Sequence, residues 1–349
     1  MMSSDQIAPL AYYSYSYPKM LAEVLLVLAG HPSSFFVPAP SERPTSLRTS
    51  PALSRHLHPG EEQALNQLAQ LAHNYTTIKE WAKRIQEQAR QGVLEEALRK
   101  GKGKAVEVPD TYTSTLAGSI LSVLRDYELL LVEVETDVLR LDEGLVQDDM
   151  GYVPLSILLA KFSVWQGPLA GLKSLVDTLS QSNWTPGMLL DHLIKLSDNG
   201  NSRLSTMYRS LHDSLLRLFL THLVTFLLSG IAPTSSTPTS PSIAIDAGSD
   251  PLSPQHRVYT LNTDLFPESI ASETRESILY VGRVAATLKR EGRSLPKTMV
   301  DELRRVIMSA EELDDGLERA IQRTREEVGE WLWKHVLTGP QVAEALKSL

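Results

Sequence analysis

Two stretches of this chain carry a large apolar residue at every third or fourth position over seven or eight turns. In the first, Leu116, Ile120, Val123, Tyr127, Leu131, Val134, Val138 and Leu141 keep this spacing; in the second, Leu155, Leu158, Phe162, Trp165, Leu169, Leu172, Val176 and Leu179 do. Such a pattern lines one face of an α-helix with apolar side chains. A stripe of that length is stable in water only when another helix covers it. The chain must therefore pack helix on helix, and the expected fold class is all-α, an elongated succession of helical bundles.

The rest of the sequence fits the same grammar. Met20 to Ala29 reads as an opening helix, and the Pro- and Ser-rich Pro32 to Pro59 as an irregular loop. Gly60 to about Lys100 suits one long helix or two joined end to end, stopped by Gly101-Lys102-Gly103-Lys104. Gly167-Pro168 should kink or break the second stripe, because proline removes a donor and clashes with the preceding turn. Thr185-Pro186 opens a shorter helix. From Leu204 another stripe begins, and from Leu215 onward it is apolar nearly all round, which places it at the centre of a bundle. Ile231 to Pro254 has the composition of a flexible linker. Val258-Tyr259-Thr260-Leu261 is the sole strand-like segment, and a short extended loop explains it as well. Helices are expected at Glu273–Arg290, Pro296–Arg323, Thr324–Leu337 and Gln341–Leu349, with no internal repeat at a fixed period. The domain layout expected is helical bundles over 20–230, a Ser/Thr/Pro-rich linker over 231–256 and a second helical segment over 257–349.

Composition removes several classes of function. The chain has no cysteine, which excludes disulfides, thiol nucleophiles and thiolate metal sites. A net charge of −8 gives no basis for non-specific nucleic-acid binding. The apolar run after Lys19 contains Glu23 and leads into Gly30-His31-Pro32 rather than a small-residue cleavage site, so it reads as an amphipathic helix and not a signal peptide. Leu215 to Leu228 is broken by Arg217 and His222 and is shorter than the roughly 20 residues a bilayer span needs. The expectation is an intracellular, soluble protein with no membrane partner, in which the Asn-x-Thr matches at Asn74 and Asn183 carry no glycan.

No catalytic, cofactor or metal residues emerge. Gly101 to Lys104 lacks the spacing of a phosphate loop and no strand precedes it, so a solvated basic turn is the reading. The histidines form no H-E-x-x-H pair; His56 and His58 share a Pro-rich loop, and His222 reads as a core histidine bonded to a neighbouring carbonyl. Asp148-Asp149 and Asp314-Asp315 point in different directions on any helix and read as helix ends or solvated faces. Trp331 and Trp333, two residues apart, cannot share a helix face, so at least one is partly exposed or meets a second element. The chain is expected not to be an enzyme, and no interface residue can be named.

The wording of several segments adds a resemblance. Met20-Leu21-Ala22-Glu23-Val24-Leu25-Leu26-Val27-Leu28-Ala29-Gly30-His31-Pro32-Ser33-Ser34-Phe35-Phe36 resembles the opening of the gamma-tubulin complex component family, nearest to its type-four branch. The helix containing Phe162 and broken at Pro168 is similar to a helix of that family. So is His222 to Gly230, an aromatic-x-x-x-Gly ending with Phe226 where tryptophan is usual. Leu265-Phe266-Pro267, Ser277-Ile278-Leu279-Tyr280-Val281-Gly282-Arg283 and Val328-Gly329-Glu330-Trp331-Leu332-Trp333-Lys334 come next, in family order.

The resemblance implies a structural scaffold that packs laterally against other gamma-tubulin complex components and templates microtubule nucleation. It implies gamma-tubulin as a partner through the complex, no cofactor, and a place in the cytoplasm and cytoskeleton at the spindle pole or another microtubule-organising centre. It covers the family's N-terminal half, so the C-terminal half that carries the principal gamma-tubulin-binding surface is expected to be absent, and residues 1–19 to be an extension or a misplaced start. One departure is Ile231-Ala232-Pro233, where the family continues after glycine with an acidic residue and a Glu-Phe-Phe-like segment. A helical-rod subunit of a membrane-tethering complex and a helical enzyme with an unrecognised site are the rival readings.

Overall fold

The computed structural model describes residues 19–39, 46–98, 110–140, 153–181, 184–230, 245–247, 259–261, 266–290, 292–310, 313 and 315–334. Among them the fold is all-α apart from two short strand pairs. The chain forms two compact units, Met1–Ile85 with Ala117–Ser182 and Gln86–Leu116 with Asn183–Leu349.

The first unit opens with α1 (residues 19–28). The segment expected as irregular loop is more ordered than its Pro and Ser content indicates. It holds β1 (Phe36–Pro38) antiparallel to β2 (Leu47–Thr49), then the single turn α2 (Pro51–Ser54). Three-residue strands are too short to show an alternation, which is why the sequence hides them. The hairpin is tied to the next helix by Thr49, whose backbone N–H donates to Asn66 Oδ1 at 2.8 Å. That helix, α3 (Pro59–Leu98), is one uninterrupted element of 40 residues. Its start is capped reciprocally: His58 Nδ1 accepts the Gly60 N–H at 3.2 Å, while the His58 N–H donates to the Glu61 carboxylate at 3.1 Å. His56 and His58 thus flank a helix start.

The two striped segments form α4 (Thr111–Arg140) and the pair α5 (Leu155–Ser163) and α6 (Gln166–Leu179). The expected break occurs, but upstream of the Gly-Pro pair. The helices bend by 57° at Val164-Trp165, and Pro168 sits in the first turn of α6. Val164 is four residues before Pro168, so its carbonyl is the one that proline neither bonds nor tolerates. In α4 the stripe is buried as expected at Ile120, Tyr127, Leu131 and Val134, while Leu124 is buried where Val123 is only half-buried.

Tyr127 is the point where the elements of this unit meet. Its ring lies 4.7 Å from that of Tyr75 on α3, 6.0 Å from Phe162 and 5.7 Å from Trp165 at the α5–α6 bend. Its hydroxyl donates to the Leu28 carbonyl near the end of α1 at 2.9 Å. One side chain with no exposed surface therefore satisfies a helix-end acceptor and anchors three packing surfaces.

The second unit is a bundle of α7 (Pro186–Ser197), α8 (Ser202–Ser229), α9 (Ser272–Arg290), α10 (Lys297–Met308) and α11 (Asp315–Leu332). As the all-round apolar pattern demands, α8 is central, packing against α7, α9 and α10, while α11 covers α9 and α10. The helix is longer than its apolar run. Among the described residues α8, and the bent pair α5–α6 taken together, are long and apolar enough to cross a membrane. In α8 those apolar residues, among them Leu215, Leu216, Phe219, Leu220 and Leu223, are buried.

Two expectations are corrected here. Within the stretch read as flexible linker, β3 (Ile245–Ala247) pairs antiparallel with β4 (Tyr259–Leu261), so the strand-like segment is a strand. The helix expected over 296–323 ends at Met308, and the next runs from Asp315 through Thr324 without a break. The buried stripe Leu317, Ile321, Thr324 and Val328 explains this, because the polar Thr324 is a core position and not a helix start. Asp315 opens α11 as a helix-end acid, where a negative charge suits the helix dipole. Gly101 to Lys104, Asp148-Asp149, Ile231-Ala232-Pro233 and Gln341–Leu349 lie outside the described residues.

Substituting Tyr127→Phe keeps the ring packing and leaves the Leu28 carbonyl without its buried donor. The expected cost is about 1–2 kcal/mol of unfolding free energy. A shift of the urea midpoint at unchanged slope measures it.

Candidate functional site

The segments that carry sequence character in the second unit are packed on one another. The helix α8 starts at Asn201, whose side-chain oxygen accepts the N–H groups of Arg203 and Leu204 at 3.1 and 3.4 Å. It ends at Gly230, whose φ of 61° is the left-handed conformation that glycine adopts without penalty. A side chain there would also collide with the backbone of Ala286 on α9. One turn earlier Phe226, with no exposed surface, lays its ring against Gly282 of α9, in the space a methyl group would need. Both pairs are four residues apart on their helices, so an aromatic and a glycine on α8 mesh in order with a glycine and an alanine on α9.

The turn leading into α9 is pinned from several sides. Phe266 is buried and meets Phe219 of α8 edge-on, with ring centres 6.3 Å apart. Gly187 of α7 backs directly onto the Phe266 carbonyl. The Arg275 guanidinium, 5.9 Å from the Phe266 ring centre, donates to the carbonyls of Ile270 and Pro267 at 2.8 and 3.0 Å. Asp191 accepts the Glu268 N–H at 2.9 Å; burial raises its pKa, partly offset by this hydrogen bond. On the other side of α9, Arg325 of α11 stands 5.5 Å from the Tyr280 ring centre and donates to Ser277 Oγ at 3.2 Å. Val328 is buried, Trp331 half-buried and Trp333 63% exposed. The tryptophan pair therefore splits as its spacing requires.

Titratable groups with shifted pKa values have structural causes. In the first unit Tyr75 donates to Glu128 Oε1 at 2.6 Å, and Lys79 donates to both, at 2.5 and 2.7 Å. Burial and the carboxylate raise Tyr75, so it is no poised base. Burial pushes Glu128 up, but hydrogen bonds from Lys79 and Tyr75 outweigh it and hold the carboxyl below its ordinary range. In the second unit the hydroxyl of buried Tyr112 lies 3.1 Å from His222 Nδ1, so the histidine read as a carbonyl-bonded core residue is half-buried and meets a phenol. Burial raises Tyr112 far above the usual phenol range. Burial also raises Asp110, opposed by the N–H groups of Thr111 and Tyr112 at the start of α4. Among the described residues no group of three His, Asp or Glu stands close enough to hold a metal ion.

What the arrangement offers is surface. Leu129, Val132 and Leu139 form an exposed apolar line along α4, with Leu129 67% and Leu139 78% exposed. A groove of about 300 Å³ lies between α10 and α11. Sequence patterning missed both. The α4 line sits one step off the stripe that patterning found, and the groove depends on where α10 ends.

Residues 21–338 match a family model described as Gamma tubulin complex component N-terminal. No curated protein matches the chain.

The close fit of α8 on α9 is open to measurement. Gly282→Ala drives a methyl into the Phe226 ring and is expected to cost about 1–3 kcal/mol. Combining it with Phe226→Leu should recover part of that loss relative to the sum of the single variants, read as a non-additive double-mutant cycle in urea. In the first unit the folded Glu128 pKa lies below the unfolded value. Its contribution is therefore complete above roughly pH 4.3 and fades as pH falls through the lowered folded value. Lys79→Met should flatten the dependence of the urea midpoint on pH between roughly pH 3 and 5, by a small amount because the pair is partly exposed.

Proposed function

The chain belongs to the gamma-tubulin complex component family, and from this membership we propose that it is a structural subunit of the gamma-tubulin complex that packs laterally against neighbouring components. The observation that carries the reading is the match of residues 21–338, nearly the whole chain, to the family's N-terminal model. Within the family we assign it to the type-four branch, on the opening segment from Met20 to Phe36.

The mechanism needs no bond-making chemistry. A component that holds its neighbours at a fixed spacing must resist bending, and two features of the second unit supply that resistance. The α8–α9 contact has no room for a side-chain methyl at Gly230 or Gly282, so those helices cannot slide without a clash. The turn before α9 is fastened by Arg275, Asp191 and Glu318, which accepts the Ala271 N–H at 2.7 Å. Close packing transmits strain rather than absorbing it. Such bodies side by side set the placement of gamma-tubulin within the assembly, so that it templates microtubule nucleation at microtubule-organising centres in the cytoplasm. A stable lateral contact of this kind buries about 1,200–2,000 Å² or more.

Affinity purification of the tagged full chain from its own cells, with mass spectrometry of what accompanies it, tests the proposal. Other gamma-tubulin complex components in the eluate are the expected result. Their absence together with that of gamma-tubulin would overturn the assignment.

A further inference from the structure

The outer face of α4 is built like one half of a helix pair. Leu129, Val132, Thr136 and Leu139 follow one another at spacings of three, four and three residues. This is the spacing at which an apolar seam meets a second helix. Leu129 stands two residues from Tyr127, about 200° round the helix, so the seam lies opposite the buried stripe. Leu129, Val132 and Leu139 are exposed. Thr136, the one polar member, donates its hydroxyl to the Val132 carbonyl at 2.7 Å and so brings no unsatisfied donor to the seam. From Leu129 to Leu139 the seam is about 15 Å long, at about 1.5 Å per residue.

The charges beside the seam say what kind of surface it accepts. From Asp126 to Leu139 the helix carries five acids and no base. Two of these acids are already paired: Glu128 with Lys79 at 2.7 Å, and Asp137 with Lys161 at 3.0 Å. Asp126, Glu133 and Glu135 are exposed and make no ion pair among the described residues. Asp126 and Glu133 border the seam on one side and Glu135 on the other. Arg125 and Arg140 bound this acidic stretch at its two ends. Acids on both sides of an apolar seam match a helix whose own seam is bordered by lysine or arginine. A second copy of α4 fits poorly, because with the seams overlapped acids would face acids in either direction. An anionic lipid surface is disfavoured by the same charges. Size agrees: a seam one side chain wide falls well short of the roughly 800 Å² that each partner buries in a standard contact between two bodies. One helix, held transiently, is what it suits.

We propose that the outer face of α4 binds a single amphipathic helix of a partner protein, with an apolar seam flanked by basic residues. Leu129 and Leu139 are the anchors, because they have the most apolar surface to lose from water. Asp126, Glu133 and Glu135 choose the partner, because opposite charge steers the encounter and like charge rejects a wrong one. The seam and its charges carry this assignment by themselves, whether or not the assembly role holds.

Two labelled three-heptad peptides test the proposal. Both carry leucine at the seam positions; one has lysine and the other glutamate at every flanking position. Fluorescence anisotropy at low salt should show the full chain binding the lysine peptide about tenfold or more tighter than the glutamate one. Leu129→Ser/Leu139→Ser should weaken that binding by about tenfold or more. Glu133→Lys/Glu135→Lys should reverse the preference between the two peptides. All four positions are exposed, so both variants should keep the helical circular dichroism of the unchanged chain. Equal affinity for the two peptides, or lysine-peptide binding that survives Leu129→Ser/Leu139→Ser, would overturn the proposal. A dimer of the full chain in sedimentation that the same variant dissolves would overturn it in favour of a second copy. Capture on phosphatidylserine vesicles that this variant abolishes would overturn it in favour of a lipid surface.

Discussion

A helix with an apolar stripe over seven or eight turns cannot stand alone in water, and the two units meet that requirement in different ways. In the first, α4 presents one stripe, and the covering elements α1, α3 and the α5–α6 bend converge on a single residue of it. Tyr127 has enough ring area to touch three aromatic neighbours and one hydroxyl to give to the Leu28 carbonyl. In the second, α8 is apolar around most of its circumference, so it needs neighbours on several sides and has α7, α9 and α10. Position in the bundle is set by the width of the apolar surface.

Coverage alone does not fix how two helices sit against each other; the α8–α9 contact adds that. A ring at Phe226 and a missing side chain at Gly282 form a knob and a hole, and four residues on, Gly230 and Ala286 repeat the fit with the sizes reversed. Small residues at a contact let backbones approach closely, and a large one beside them prevents sliding. In the second unit, the segments whose wording resembles the gamma-tubulin complex components meet here: the end of α8, Phe266, the middle of α9 and the end of α11. Their sequence is constrained by one another, which is a packing constraint and not a chemical one.

Legibility in the sequence depends on which physical signals have a period. The long helices were legible, because a stripe of Leu, Ile and Phe at spacings of three and four suits a covered helix and little else. The pairing of β3 with β4 was not, since three-residue strands carry no period and one of them lies in a Ser- and Pro-rich stretch. The expected boundary at Arg323–Thr324 falls inside α11, because the burial of Thr324 makes this polar residue part of the stripe. The bend before Pro168 was placed a turn late, since proline disrupts the carbonyl four residues back rather than its own position. His222 is half-buried rather than a core histidine, and its partner Tyr112 is hidden from sequence patterning because it is distant along the chain. The exposed line of Leu129, Val132 and Leu139 was hidden because it lies on the same helix as a stronger apolar pattern.

The polar groups inside these bundles bear on rigidity in a way that apolar packing does not. Apolar contacts are non-directional, whereas a buried hydroxyl with one acceptor loses its bond when a helix shifts by a fraction of a turn. Tyr127 bonded to the end of α1, Tyr112 to His222, and Tyr75 to Glu128 each join residues far apart in sequence, with Lys79, one turn from Tyr75, bonded into the last pair. All three phenols are held above their usual pKa range, with burial the largest cause in each. A raised phenol pKa keeps the proton on oxygen, so each hydroxyl stays neutral throughout the neutral range. For a body whose proposed task is to hold neighbours at a set spacing, such bonds act as register pins: they add modestly to stability and penalise every alternative alignment.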